Sequence, residues 1–192
     1  VRNIDLLQRI LLFLMANIGN PFSSSAVIKF LKNEKRSISQ ETIYNYINYC
    51  EVACFAHLVV REDIVGKQIL KFQEKIYLTD HGFREVIYGN NERDIQQVLE
   101  NIIYMELLRK GYAVKVGKLS TKEIDFVAIK GNQRIYYQVS YILSEETTVE
   151  REFLPLEAIP DNYPKFVLTM DAFDRSRNGI QHLNIIEFLL GE

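Results

Sequence analysis

The sequence is poor in the residues that build thiolate metal centres and disulfide frameworks. Two cysteines and three histidines in 192 residues leave a zinc site short of ligands. Cys50 and Cys54, four apart at the end of an expected helix, read as two buried thiols. Long apolar runs are missing as well. The longest near the start, Ile10–Ala16, falls short of the roughly 18 residues that a membrane span needs. Asp5, Gln8 and Arg9 interrupt the start and no small-residue cleavage site follows, so this start does not read as a secretory signal, and a cytoplasmic protein without membrane contact is expected. An excess of either charge is also absent. The net charge of −2 gives no global sign of nucleic-acid binding. Up to residue 90 there are 11 basic and 9 acidic residues, and after it 12 and 16, so the first half is the better candidate for DNA. The chain opens at Val1, directly into a helical pattern, and is expected to be a fragment of something longer.

What is present is an ordinary globular composition, 47% hydrophobic and 25% charged, with several strong local patterns. Ile4, Leu7, Leu11, Leu14 and Ile18 recur at helical spacing, and Asn20-Pro21 breaks that helix. Ser23–Ser25 offer a cap before a second helix with Val27, Phe30 and Leu31 inward. Ser39 starts a third helix through Ile43, Tyr46, Ile47 and Cys50. Strands follow at 57–62 and 68–77 around a turn at Gly66. Three helices and a two-stranded wing are the order of a winged helix, a helix-turn-helix variant. The segment from Tyr77 to Gly82 leads into a short helix, and Asn90-Asn91 mark the expected boundary between residues 1–90 and 91–192. Beyond it the spacing predicts a long helix over 92–110 with Ile95, Val98, Leu99, Ile102, Ile103 and Leu107 buried. Strands are expected at 112–116, 123–129 and 134–143, the last two joined by a hairpin turn at Lys130-Gly131-Asn132. A helix over 147–158, a strand over 165–170, a short strand near His182 and a terminal helix at 185–190 complete an α/β pattern.

Gly111–Lys118 looks like a phosphate loop but has five residues between its glycines and Leu119 after the lysine, so it holds no nucleotide. The constellation that carries chemistry is Glu100 on the long helix, Asp125 on one strand and Gln138-Val139-Ser140 on the next. Side chains two apart on a strand share a face, so Glu123 pairs with Asp125 and Gln138 with Ser140, and the hairpin brings the two faces together. Glu100, Asp125, the Gln138 amide oxygen and the Val139 carbonyl form an oxygen set of the kind that holds Mg2+.

With these residues, 92–183 resemble the PD-(D/E)XK, or restriction-endonuclease-like, superfamily. Glu100 matches its helix carboxylate, Asp125 its strand aspartate, and Gln138-x-Ser140 its E-x-K position. More closely, the stretches LENIIYMELLRKGY, KEIDFVA, YYQVSY and EREFLPLEAIPDNYPKFVLTMD resemble an uncharacterised domain family found C-terminal to archaeal-type and bacterial AAA+-like ATPase domains, in which a winged helix precedes the nuclease-like part. The KIYLTDHGFRE segment is similar to the linking stretch of that family. The resemblance implies ATP bound in an upstream module as an intramolecular partner. It also exposes a departure. Gln138 offers a neutral amide where the superfamily has an acid, and Ser140 stands where it has lysine. Loss of such a charge-stabilising group typically costs on the order of 10²–10³ in rate.

Blander readings stand beside these. Glu100 can be a solvated helix residue, Asp125 half of a structural ion pair with Lys118 or Lys122, and Gln138 and Ser140 polar residues on a half-exposed strand. Lys118 or Lys122 can equally reach in as a relocated lysine. In the winged part the third helix has no basic residue between Ser39 and Glu51. Gln40, Thr42, Asn45 and Asn48 can read bases and Tyr44 can touch a phosphate, with Lys29, Lys32, Lys35 and Arg36 gripping the backbone, or these lysines are a solvated face. The leading expectation is a non-catalytic regulatory or targeting portion of an ATPase that holds DNA or a protein partner. A Mg2+-dependent endonuclease with an unusual site is the enzyme alternative. A docking or homo-oligomer module using Pro155, Ile159-Pro160 and Ile185–Leu190 is the third.

Overall fold

The computed structural model describes residues 3–33, 38–89 and 94–191. It is a mixed α/β structure in which the helices α1 (Ile4–Ala16), α2 (Ser24–Asn33) and α3 (Gln40–Val52) precede the strands β1 (Ala56–Asp63) and β2 (Gln68–Leu78). A short α4 (Gly82–Tyr88) and the long α5 (Ile95–Arg109) lead to β3 (Ala113–Leu119), β4 (Lys122–Lys130) and β5 (Gln133–Val139). Then follow α6 (Glu146–Glu157), β6 (Lys165–Thr169), β7 (Ile180–Asn184) and α7 (Ile185–Leu190). Among the described residues no helix is long and apolar enough to cross a membrane.

The N-terminal hairpin is not a free-standing wing. The seven strands of the described residues form one sheet in the order β2-β1-β3-β4-β5-β6-β7. Strand β1 lies parallel to β3 through Arg61–Val116, Glu62–Gly117 and Asp63–Lys118. The sheet therefore runs across the boundary expected near residue 90. Gly117 is required at this crossing, because a Cβ there would come within 2.9 Å of both Ile124 Cβ and Ile64 Cδ1.

Apolar clusters hold the layers. Leu6, Ile10, Leu14, Val27, Leu31, Ile43 and Ile47 bind the first three helices to Ala56, Ile76 and Leu78 at the hairpin base. Leu99, Ile103, Tyr104 and Leu107 of α5 cover one sheet face with Ile185 of α7, and Val149, Phe153 and Leu156 of α6 cover the other. Ser39 caps α3 as its sequence suggests, its side chain accepting from the Thr42 N–H. The turn between β4 and β5 is the two-residue Gly131-Asn132 connection that pairs Lys130 with Gln133.

Two expectations shift in phase. The buried face of α1 is Leu6, Ile10, Leu14 and Met15, whereas Ile4 is 69% exposed. Every residue from Ile10 to Ala16 is apolar, so spacing alone admits several faces and packing chooses one. The two cysteines also differ: Cys50 is buried and Cys54 exposed. Helix α3 ends at Val52, and Cys54 lies beyond it in the left-handed backbone region, with φ 53°, so the helical spacing that would have stacked the thiols is broken. Burial, with the Glu51 charge adding to it, pushes the Cys50 thiol up to about 11. Alkylation of the native protein at neutral pH is therefore expected to label Cys54 alone, with Cys50 reacting only after denaturation. Peptide mass mapping of the two states checks this, and equal labelling of both native thiols would contradict it.

Candidate functional site

The strands β4 and β5 pair as far as Phe126–Tyr137 and then part. Beyond that point the ladder is continued by side chains. The Asp125 N–H donates to Gln138 Oε1 at 2.8 Å, and the Val139 N–H donates to Asp125 Oδ2 at 2.9 Å. An irregularity on the other side of β4, between the pairs Lys115–Val127 and Gly117–Ile124, gives β4 one extra residue at Asp125-Phe126. Such bulges bend a strand and re-aim its side chains, and here Asp125 is aimed at a cleft instead of the apolar layers.

That cleft, about 540 Å³, is lined by Glu100 and Gln96 of α5, Lys122, Glu123 and Asp125 of β4, Gln138 of β5, and Glu150–Glu152, Leu154 and Pro155 of α6. Glu100, Asp125 and Gln138, singled out from the sequence, thus meet in one place. All three are buried, so Glu100 is not a solvated helix residue and Gln138 is not on a half-exposed strand. Ser140 is buried but does not line the cleft. Strand β5 ends at Val139 and the Ser140 N–H donates to the Leu168 carbonyl of β6, so the two-residue alternation stops before it.

The centre of the cluster is a residue from the other half of the chain. Lys75, on β2, is 3% exposed. Its Nζ lies 2.7 Å from Glu123 Oε1, 3.2 Å from Glu100 Oε2 and 3.8 Å from Asp125 Oδ1. The ion pair of Asp125 is therefore with Lys75, not with Lys118 or Lys122. Lys122 instead donates to the Leu154 carbonyl at 3.3 Å. Tyr77, two residues from Lys75 on the same strand, donates to Glu100 Oε2 at 3.3 Å. Gln96 ties the ends together: its amide nitrogen donates to the Val139 carbonyl and sits 3.4 Å from Glu100 Oε1, while its amide oxygen accepts from the Tyr141 N–H at 3.0 Å. Gln138 completes the ring by donating to Glu152 Oε2 at 3.1 Å.

Burial sets the electrostatics. It raises the Asp125 carboxyl well above the usual carboxylate range, the Glu100 charge adds to this, and Lys75 and the Val139 N–H oppose it. Glu100 is also raised by burial, against the pull of Lys75 and Gln96. Burial alone would lower Lys75, but Tyr77 and the carboxylates of Glu100, Asp125 and Glu123 overcome it and hold its ammonium well above the ordinary lysine range. A buried ammonium with three carboxylates around it is thereby kept charged.

A hard cation needs several free oxygen ligands converging at about 2.0–2.6 Å. Here the Gln138 oxygen is held by the Asp125 N–H, the Val139 carbonyl by Gln96 and one Asp125 oxygen by the Val139 N–H. Among the described residues no group of three or more carboxylate, imidazole or thiol side chains is arranged to hold a metal ion. The set of Glu100, Asp125, Gln138 and Val139 does not fit Mg2+ in this arrangement.

In the helical part, Lys29 and Lys32 are exposed on α2, and Lys35 and Arg36 lie outside the described residues. Gln40, Tyr44, Asn45 and Asn48 are exposed on α3. Thr42 is half-buried and its hydroxyl shares a 2.9 Å hydrogen bond with Ser39, so it serves the helix cap. Lys75, Gln96 and Glu152 escape a reading of the sequence by element. No local pattern marks Lys75; it is the structure that shows it opening the fully buried run Lys75–Leu78, where a lone cation needs an anionic partner.

No protein-family model matches the chain, and neither does any solved structure. The chain is 35% identical over 191 residues to an uncharacterised protein of Haemophilus influenzae, an alignment covering 99% of this chain and 47% of that protein. It is 31% identical over 166 residues to an uncharacterised protein of Methanocaldococcus jannaschii, covering 84% of this chain and 36% of that protein. The chain thus spans less than half the length of these curated relatives.

Proposed function

We propose that this chain is the non-cutting, nucleic-acid-holding portion of a longer ATPase, built from a winged helix and a restriction-endonuclease-like fold. One observation carries the non-cutting half: the oxygens that would face a metal are spent on internal hydrogen bonds, and an ammonium sits among the carboxylates. The ATPase half rests on the sequence resemblance and on relatives more than twice as long as this chain, which have room for a further module. Within the chain, nucleic acid belongs on the helical half. The cleft is lined by the carboxylates of Glu100, Glu123, Asp125, Glu150 and Glu152, against Lys122, Arg151 and the central Lys75, a balance that repels phosphates. The exposed polar residues of α3 include two carboxylates, Glu41 and Glu51, which the exposed Lys29 and Lys32 of α2 match in number, so this part carries no such excess of negative charge.

Mobility shift on duplex DNA across a salt series tests this. Binding is expected at low salt, and replacing Lys29 and Lys32 by alanine together should lower the slope of log affinity against log salt by about 2. An absent shift at low salt would remove DNA and leave a protein as the partner of the α3 face.

A second reading is favoured by Lys75 itself. An ammonium 3.8 Å from Asp125 restores the charge that Ser140 lacks, as a nuclease would require. Cleavage of plasmid DNA in Mg2+ or Mn2+, abolished by Asp125→Ala and by Lys75→Met alike, would favour that reading over the first.

A further inference from the structure

We infer that Lys75 is an intramolecular counter-ion that takes the place of a divalent cation between Glu100, Glu123 and Asp125, and that removing it opens this place to such a cation. The inference deepens the non-cutting reading and rests on it.

The position of the ammonium is set by main chain on both sides. Along the β1–β2 hairpin the pairing jumps from Val59–Lys75 to Arg61–Leu70. The surplus residues of β2 form a bulge in which Gln73 takes a left-handed conformation, φ 54°. Arg61 fixes that bulge from β1: its Nε donates to the Gln73 carbonyl, and its terminal nitrogen pairs with the second carboxylate oxygen of Glu123. The outer edge of β2 is closed by the loop between α1 and α2. Gly19 and Phe22 donate their N–H groups to the carbonyls of Ile76 and Glu74, and Pro21 bridges to Lys75. The same loop touches the cluster, since a Cβ on Gly19 would lie 3.4 Å from Glu100 Oε2. The lysine is therefore delivered by a built framework and is not a surface side chain that strayed inward.

The chemistry of the place it fills points to a hard cation. Three carboxylates from α5 and β4 converge on one atom at 2.7, 3.2 and 3.8 Å, and the open cleft beside them admits water. Inward shifts of roughly 0.5 Å for Glu123, 1 Å for Glu100 and 1.5 Å for Asp125 would give a Mg2+, Mn2+ or Ca2+ ion oxygen ligands from three side chains and from solvent. With the ammonium present, a divalent ion would meet a like charge at the same point and would lose the Glu100 and Glu123 oxygens to it.

Calorimetric titration and electron paramagnetic resonance with MnCl2, on the protein and on Lys75→Met and Lys75→Arg, test the inference. The expected result is weak or no Mn2+ uptake by the natural protein and by Lys75→Arg. Lys75→Met should take up one Mn2+ at least about tenfold more tightly and melt higher in its presence, a gain abolished by adding Asp125→Asn. If Lys75→Met folds poorly, its refolding yield with and without MnCl2 is the readout, and recovery by the cation supports the inference. Tight Mn2+ uptake by the natural protein overturns it, as does a Lys75→Met protein indifferent to Mn2+ in both binding and refolding. Cleavage scored on the same samples separates the two readings. Mn2+ uptake by the natural protein without cleavage sinks only the counter-ion role, whereas uptake with Asp125-dependent cleavage sinks the non-cutting reading as well.

Discussion

Lys75→Met will lower the unfolding free energy by about 3–5 kcal/mol at neutral pH, the usual cost of removing one partner from a buried ion pair. For a chain of this length that is roughly 10 °C of melting temperature. The methionine fills most of the volume of the lysine stem, so the loss is of charge, not packing. What remains is Glu100 and Asp125, both buried, with no cation between them, beside Glu123, which keeps its pair with Arg61. Without an added cation, Glu100 and Asp125 relieve this by taking up protons, and this gives the effect its pH dependence. Glu100 and Asp125 have raised folded-state pKa values. The native protein thus keeps protons that the unfolded chain has released, and this contribution falls as pH rises from about 4. Lys75 is raised well above its ordinary range, so its contribution is whole below about pH 10 and fades only above that. The variant retains the first effect and lacks the second. Its deficit should be widest at neutral to alkaline pH and should narrow as the medium is acidified and Glu100 and Asp125 take up protons. Urea unfolding at several pH values reads this directly. A deficit of the same size at every pH would assign the cost to lost packing and not to the buried charges.

Much of this arrangement can be read from residues in sequence order. The period-two stretches on either side of Gly131-Asn132 predict a hairpin, and the strands pair there from Lys130–Gln133 to Phe126–Tyr137. Asp125 inside Ile124–Val127 and Gln138 inside Tyr136–Val139 mark polar groups in apolar strands, and they lie side by side. Lys75 was not legible in the same way, because what places it is non-local. It reaches Glu100 across 25 residues and Asp125 only because β1 lies parallel to β3, a pairing that crosses the segment where composition suggests a boundary. A parallel pairing leaves no turn signature in the sequence, and the bulge at Gln73 uses no glycine or asparagine to announce it. The buried polar side of α5 was hidden for a related reason. Glu100, Asn101 and Glu106 are buried beside its apolar stripe, because Glu100 meets Lys75, Asn101 pairs with the Leu78 main chain and Glu106 pairs with Arg109 and Lys110.

Asn101→Leu should be nearly as damaging, through the backbone and not through charge. Strand β2 is the edge of the seven-stranded sheet, and an edge presents unpaired N–H and carbonyl groups that must be covered or solvated. The loop between α1 and α2 covers Glu74–Ile76. At Leu78, Asn101 stands in for a neighbouring strand. Its Oδ1 accepts from the Leu78 N–H at 2.7 Å and its Nδ2 donates to the Leu78 carbonyl at 3.0 Å. Leucine has a similar size but no polar atoms, so both main-chain groups would be left buried and unpaired, each costing about 1–3 kcal/mol. The expected loss is about 2–6 kcal/mol. Asn101→Asp keeps the acceptor and loses the donor, so the Leu78 N–H stays paired while its carbonyl does not. Hydrogen exchange at the Leu78 amide separates the two: fast in Asn101→Leu, protected in Asn101→Asp. Equal protection in both variants would mean that β2 holds its place without α5. Glu100 would then owe its position beside Lys75 to its own ion pair and to Tyr77 and Gln96, not to the clamp on the next residue.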